Sequence, residues 1–148
     1  MPAHLGRSVA LVQTDTTVGL LSKRGDRLNR AKDRADDKAL IRAVGSFRTL
    51  QRFARVPAAH KNRVRRMKKT TFVFGKSESC RVIAGDHRHF FERIGWAFTT
   101  SANPTGGAFG EAWAKDRSDL WVLTPKGFCE YPASRLLKLG KTRLKKLR

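Results

Sequence analysis

Three segments of this sequence have side-chain types and spacing suited to a phosphorylated ligand. The first is Lys32-Asp33-Arg34-Ala35-Asp36-Asp37-Lys38, with three cations in seven residues. Arginine grips phosphate bidentately and lysine acts as a compact point charge, so this cluster could clamp a triphosphate. The same composition also suits an exposed helix with ion pairs one turn apart, and composition alone favours that plainer reading. The second segment is Thr100-Ser101-Ala102-Asn103-Pro104-Thr105-Gly106-Gly107. Its hydroxyls, its amide and its glycines would let backbone N–H groups approach a phosphate. A polar turn closed by Asn103-Pro104 is the competing reading. The hydroxyl-rich turn Thr14 to Thr17 is similar but less informative. The third segment is a basic run containing Arg63, Arg65, Arg66, Lys68 and Lys69. No aromatic residue interrupts it, so base stacking is not expected. Contact with a nucleic-acid backbone would be sequence-independent and salt-sensitive. A solvated helix face is the alternative.

Other chemistry finds little support. His87-Arg88-His89 lacks further ligands at metal spacing, so capping or surface roles are favoured. The sequence holds no phosphate-loop signature, nucleophile elbow or zincin motif. Cys80 and Cys129 have no paired or metal spacing, and two reduced thiols in a cytoplasmic protein are expected.

The elements that must position these groups follow from composition and pattern. The chain has 148 residues, 32 Lys and Arg against 12 Asp and Glu, and a formal charge of +20. One domain over 1–148 is expected, with 138–148 as a basic edge strand or tail. Apolar residues make up 40%, enough for a core. No apolar run approaches the ~20 residues that span a bilayer, so no membrane role is expected. A field this positive suits phosphate-bearing partners, RNA among them, unless it serves mainly solubility.

Strands are expected over 8–12, 70–74, 79–83, 96–99 and 120–123 from their apolar, β-branched and aromatic content. Residues 39–44 suit a strand or a helix end. Helices are expected over 28–38, along the stripe Phe47, Leu50, Phe53 and Ala54, over 58–66, and around Phe90, Phe91 and Ile94 up to Gly95. Strands mixed with helices imply an α/β or α+β sheet domain.

Taken in order, the segments resemble the YrdC/Sua5/YciO family of threonylcarbamoyl-AMP synthases. Val12-Gln13-Thr14-Asp15-Thr16-Thr17-Val18-Gly19 is similar to the family's PTET-x-x-GL turn. Lys32 to Leu40 is similar to its K-x-R-P-x-x-K-p-L segment. Thr70 to Phe74 resembles its P-V-T-F-V-F strand, and Cys80 to Ile83 with Asp86-His87 its V-R-V-P-x-H. Thr100 to Gly106 matches T-S-A-N-x-S-G most specifically. Pro132-Ala133-Ser134 stands where P-S-T precedes the last strand.

The resemblance implies a twisted open mixed sheet flanked by helices, with a basic concave face. It implies an enzyme that joins ATP, L-threonine and bicarbonate into threonylcarbamoyl-AMP and pyrophosphate for the t6A modification of tRNA. Carried over by position, Lys32 and Arg34 would be catalytic through the phosphates. Thr100, Ser101, Asn103 and Ser134 would bind the nucleotide, and Thr14 and Arg81 the threonine. Asp15 would help place a metal or the threonine ammonium. ATP would act as substrate with Mg2+, without a tightly bound metal. RNA, as tRNA or a duplex, and proteins of the t6A pathway would be partners. The sequence departs from the pattern at Gln13 and Ala35, which replace prolines, at Arg66 to Lys69, and in the contracted connection Gly75 to Ser79. Those departures set a non-catalytic RNA- or nucleotide-binding module as the alternative expectation.

Overall fold

A computed structural model describes residues 6–148, so the first five residues of the domain expected over 1–148 lie outside the described residues. The chain begins with β1 (Ala10–Gln13) and β2 (Val18–Ser22), joined by the hydroxyl-rich turn. Both strands are buried along their whole length, as continuous apolar runs must be when both faces of a sheet are covered. Then come α1 (Gly25–Ala31), β3 (Ile41–Val44), α2 (Phe47–Leu50) and α3 (Lys61–Arg66). Next are β4 (Thr70–Phe74), β5 (Glu78–Val82), α4 (Arg88–Ile94) and β6 (Trp96–Ser101). The rest is α5 (Glu111–Asp116), β7 (Leu120–Val122), β8 (Arg135–Leu139) and β9 (Leu144–Lys146).

The nine strands among the described residues form one mixed sheet in the order β7-β1-β2-β6-β3-β5-β4-β8-β9. β7 runs parallel to β1, β5 to β3 and β8 to β4; the other neighbours are antiparallel. This is the mixed α/β sheet expected from the sequence.

The alternation of side chains sends two apolar sets to opposite faces. On one face, Leu28 of α1 and Ala114 of α5 pack with Leu11 and Leu20, while Leu50 and Val64 pack with Phe72 and Leu137. On the other face Phe91 of α4 packs on Ala10, Leu21, Ala43 and Ala97. α4 lies so close that a Cβ at Gly45 would come within 2.7 Å of the Glu92 backbone nitrogen. That helix stops at Gly95, whose φ of 78° favours glycine, where the sequence placed the stop. α4 covers only part of its face. Beyond it the sheet surface bearing Thr99, Ser101 and Arg81 lines an open cleft.

Two expectations need correction. The helix expected over 28–38 ends at Ala31. Lys32 donates its N–H back to Leu28 and Asn29, and Asp33 turns left-handed at φ 53°. The Asn29 amide then donates to the carbonyls of Asp36 and Lys38, both at 3.0 Å, folding the segment back on α1. The ion pairs there are Arg30–Asp36 and Arg117–Asp33, not pairs along a helix face. The stripe from Phe47 to Ala54 is helical only to Leu50, then continues in turns. The basic end of the chain is a hairpin of β8 and β9 at the sheet edge, the strand alternative for that segment. β2 and α5 were not anticipated.

Candidate functional site

The site begins with the turn at Asp33. Successive helical residues point about 100° apart, so residues two apart face opposite sides of a helix. The left-handed turn breaks that phase and sends Lys32 and Arg34 to the same loop. Lys32 Nζ donates to the Ser101 carbonyl at 2.9 Å and the Asn103 carbonyl at 2.5 Å, with Ser101 Oγ at 3.5 Å. Arg34 Nη2 donates to Asn29 Oδ1 at 3.0 Å and Thr100 Oγ1 at 3.3 Å. Lys32 is 6% exposed. Burial, and secondarily the Arg34 charge, push its pKa down to about 8. Burial lowers that of Arg34 too.

The loop is fixed from its other side as well. Ala102 is buried, and its N–H donates to Val18 at 2.8 Å. The Asn103 amide donates to the carbonyls of Pro104 and Gly107, closing its own turn.

These elements enclose a cleft of about 490 Å3. Thr99, Thr100 and Ser101 form one side with Arg34. Pro132, Ala133 and Ser134 form another with Arg148, and Arg81, Thr16 and Thr17 complete it. Arg81 is 4% exposed. It faces Asp15 across 3.2 Å and donates to Thr16 Oγ1 and Thr14 Oγ1. Burial lowers its pKa, the Asp15 charge opposes that, and the Arg148 charge lowers it further. Ser134 Oγ lies 2.8 Å from Thr71 Oγ1 and accepts from Arg148 Nη2 at 3.4 Å; Arg148 Nε donates to the Ser134 carbonyl at 3.1 Å.

The sequence-predicted groups divide accordingly. Arg34, Arg81, Thr100, Ser101, Asn103 and Ser134 meet around one cleft. Lys32 stands behind its loop rather than on the cleft surface. Thr14 lies under the turn, 1% exposed, its hydroxyl donating to the Thr17 carbonyl at 2.6 Å; Thr16 and Thr17 face the cleft instead. The basic run lies elsewhere, on α3 and the turn into β4. Within it Arg63 turns toward His60, 3.0 Å from Nδ1, and Lys69 sits 6.0 Å from the Tyr131 ring.

Sequence reasoning missed Arg148, Glu130 and Tyr131 as cleft residues. Arg148 stood inside the tail run, where only the β8–β9 pairing reveals its direction. Among the described residues no three His, Cys, Asp or Glu side chains gather as a metal site. Cys80 and Cys129 are free, and burial together with Glu78 pushes the Cys80 thiol up to about 12. Among the described residues, no helix is long and apolar enough to cross a membrane.

Sheet order and cleft together define the YrdC-like α/β fold. The L-threonine complex of P. abyssi Sua5 shares it, with a TM-score of 0.77 and 19% identity over 95% of this chain and 50% of that one. So does E. coli YciO, with a TM-score of 0.70 and 17% identity over 95% of this chain and 82% of that one. MTH1692 from Methanobacterium thermoautotrophicum has a TM-score of 0.68 and 22% identity, over 97% and 80% of the two chains. The chain therefore spans about half the length of that Sua5 chain. No family model matches the sequence, and neither does any curated protein.

Proposed function

We propose that the cleft binds ATP and L-threonine and joins them with bicarbonate into threonylcarbamoyl-AMP, releasing water and pyrophosphate, the adenylate serving the t6A modification of tRNA. The observation that carries this reading is the convergence of Arg34, Arg81 and Arg148 on one cleft beside the Thr100–Asn103 loop. Asp15 neutralises Arg81, leaving Arg34 and Arg148 for phosphate. A magnesium-bound triphosphate keeps roughly two negative charges, which two guanidinium groups match. Mg2+ would arrive on those phosphates and supply further charge neutralisation. Thr100 and Ser101 would orient the nucleotide. The Arg81–Asp15 pair, beside Thr16, offers a cation for an amino-acid carboxylate and an anion for its ammonium. Adenylyl transfer needs positioning and charge stabilisation rather than a covalent nucleophile. Lys32 would serve it by fixing the loop. The L-threonine complex of the Sua5 neighbour supports the choice of amino acid.

A second reading rests on Lys32. Its ammonium is committed to two loop carbonyls, leaving phosphate to arginines alone. That arrangement suits a module that holds a nucleotide without turnover and binds RNA through Arg63, Arg65, Arg66, Lys68 and Lys69. One assay separates the two: pyrophosphate release with ATP, L-threonine and bicarbonate, each omitted in turn. Release that needs all three establishes the synthase. ATP binding without release overturns it in favour of the binding module.

A further inference from the structure

A second groove lies at the carboxyl ends of the parallel pair β3 and β5, where α/β sheets tend to gather ligands. Its volume is about 410 Å3, and it shares no lining residue with the cleft. Gly45 to Phe47 form one wall, Arg65 to Lys68 another, and Val82 to Gly85 with Arg88 the rest. Four cations from two helices and a turn therefore ring one concavity. Arg65, Arg66 and Lys68 are exposed, and no carboxylate among the described residues pairs with them. Arg88 is shared with Glu92 at 2.7 Å. Arg65 also lies over the Phe47 ring at 4.9 Å, which holds its guanidinium at the groove.

The placement is not accidental to the packing. The close approach of α4 to Gly45 brings Arg88 to the same opening as α3. Arg88 lies outside the basic run, so only the fold joins it to Arg65, Arg66 and Lys68. The large exposed apolar side chains, Trp121, Leu123, Tyr131, Leu144 and Leu147, all lie outside this groove, whose lining sets Phe47, Met67, Val82 and Ile83 among its four cations.

The geometry points to a separate RNA-backbone site in this groove, occupied at the same time as the nucleotide cleft. The inference rests on the RNA-binding reading above and adds its location and its independence of the cleft. Consecutive phosphates would lie along Arg65, Arg66, Lys68 and Arg88, with Lys69 near Tyr131 leading on toward the cleft rim. Such contact is blind to base sequence and releases counterions on binding.

The test is fluorescence anisotropy of labelled tRNA on the full chain, across a salt series, with and without saturating Mg·ATP. Arg66→Glu with Lys68→Glu should weaken binding at least tenfold near 100 mM salt. It should also flatten the log–log salt slope by about two, one for each phosphate no longer neutralised. The pair Arg66→Lys with Lys68→Arg should restore most of the affinity. Mg·ATP should change RNA affinity less than twofold. Ultraviolet crosslinking of the wild type, which does not depend on a variant folding, should label peptides spanning 65–69 and 85–95. Undiminished binding by the charge-reversed pair, competition by Mg·ATP, or crosslinks confined to 130–134 would overturn the separate groove while leaving RNA binding standing. A wild type that binds acidic vesicles but no tRNA would overturn the RNA reading itself.

Discussion

Replacing Lys32 by methionine probes the device that fixes the cleft loop. The change keeps an unbranched side chain out to Cε and deletes the ammonium. At neutral pH two opposing effects follow. The carbonyls of Ser101 and Asn103 lose a charged donor, at about 1.5–3 kcal/mol per bond, while the cost of burying the ammonium disappears. A net loss on the order of 1–3 kcal/mol is expected. The pH dependence is more diagnostic. Burial lowers the Lys32 pKa from 10.5 to about 8. Between those values the unfolded chain binds a proton that the native chain has released, so the Lys32 contribution to stability rises with pH. Below pH 8 it is flat. Each pK unit corresponds to about 1.4 kcal/mol, and solvent near the group reduces this, so a gain of about 1–3 kcal/mol is expected by pH 10.5. Urea midpoints of the wild type and Lys32→Met, measured from pH 7 to 10.5, isolate this effect because the other lysines titrate in both proteins. The wild-type advantage should widen above pH 8. A constant or narrowing advantage would refute the view that Lys32 is a desolvated ammonium behind the loop.

Two further outcomes follow from the packing. Gly45→Ala forces a Cβ against helix backbone at 2.7 Å and should cost about 2–4 kcal/mol in chemical denaturation, while Gly140→Ala, with its nearest neighbour at 3.5 Å, should change little. Arg81→Met leaves the Asp15 carboxylate buried without its partner and should cost about 3–5 kcal/mol, much of it recovered in the double variant Arg81→Met with Asp15→Asn. Additive losses in that thermal-unfolding cycle would show that the two charges do not depend on each other.

The parts of the site legible in the sequence are those whose meaning is local. Thr100 to Gly107 reads as a polar loop after a strand because its composition suits a turn whatever surrounds it. Thr70 to Phe74 reads as a strand because β-branched and aromatic residues fit a pleated surface. The turn at Asp33 was hidden: Ala31 and Ala35 continue a helical spacing, and the amide of Asn29 overrides it with bonds to residues seven and nine positions on. Arg148 was hidden for a different reason. Its place opposite Arg34 depends on the β4–β8–β9 edge, a pairing set by contacts distant in the chain. The groove beside α4 was illegible because Arg88 and Arg66 meet only through the packing of α4 on Gly45.

The position of β6 also governs the order in which the protein can assemble. β6 lies between β2 and β3, two strands that precede it by more than fifty residues and do not pair with each other. During synthesis both keep an open edge until residues 96–101 are available. Non-local pairing of this kind folds slowly and exposes strand edges to neighbouring chains. Since Thr99, Thr100 and Ser101 belong to the inserted strand, one event joins the β1–β2 part of the sheet to the β3–β5–β4 part and lays one side of the cleft. Ser134 and Arg148 complete the cleft only once the β8–β9 edge has formed, so competence to bind follows insertion of β6 rather than coinciding with it.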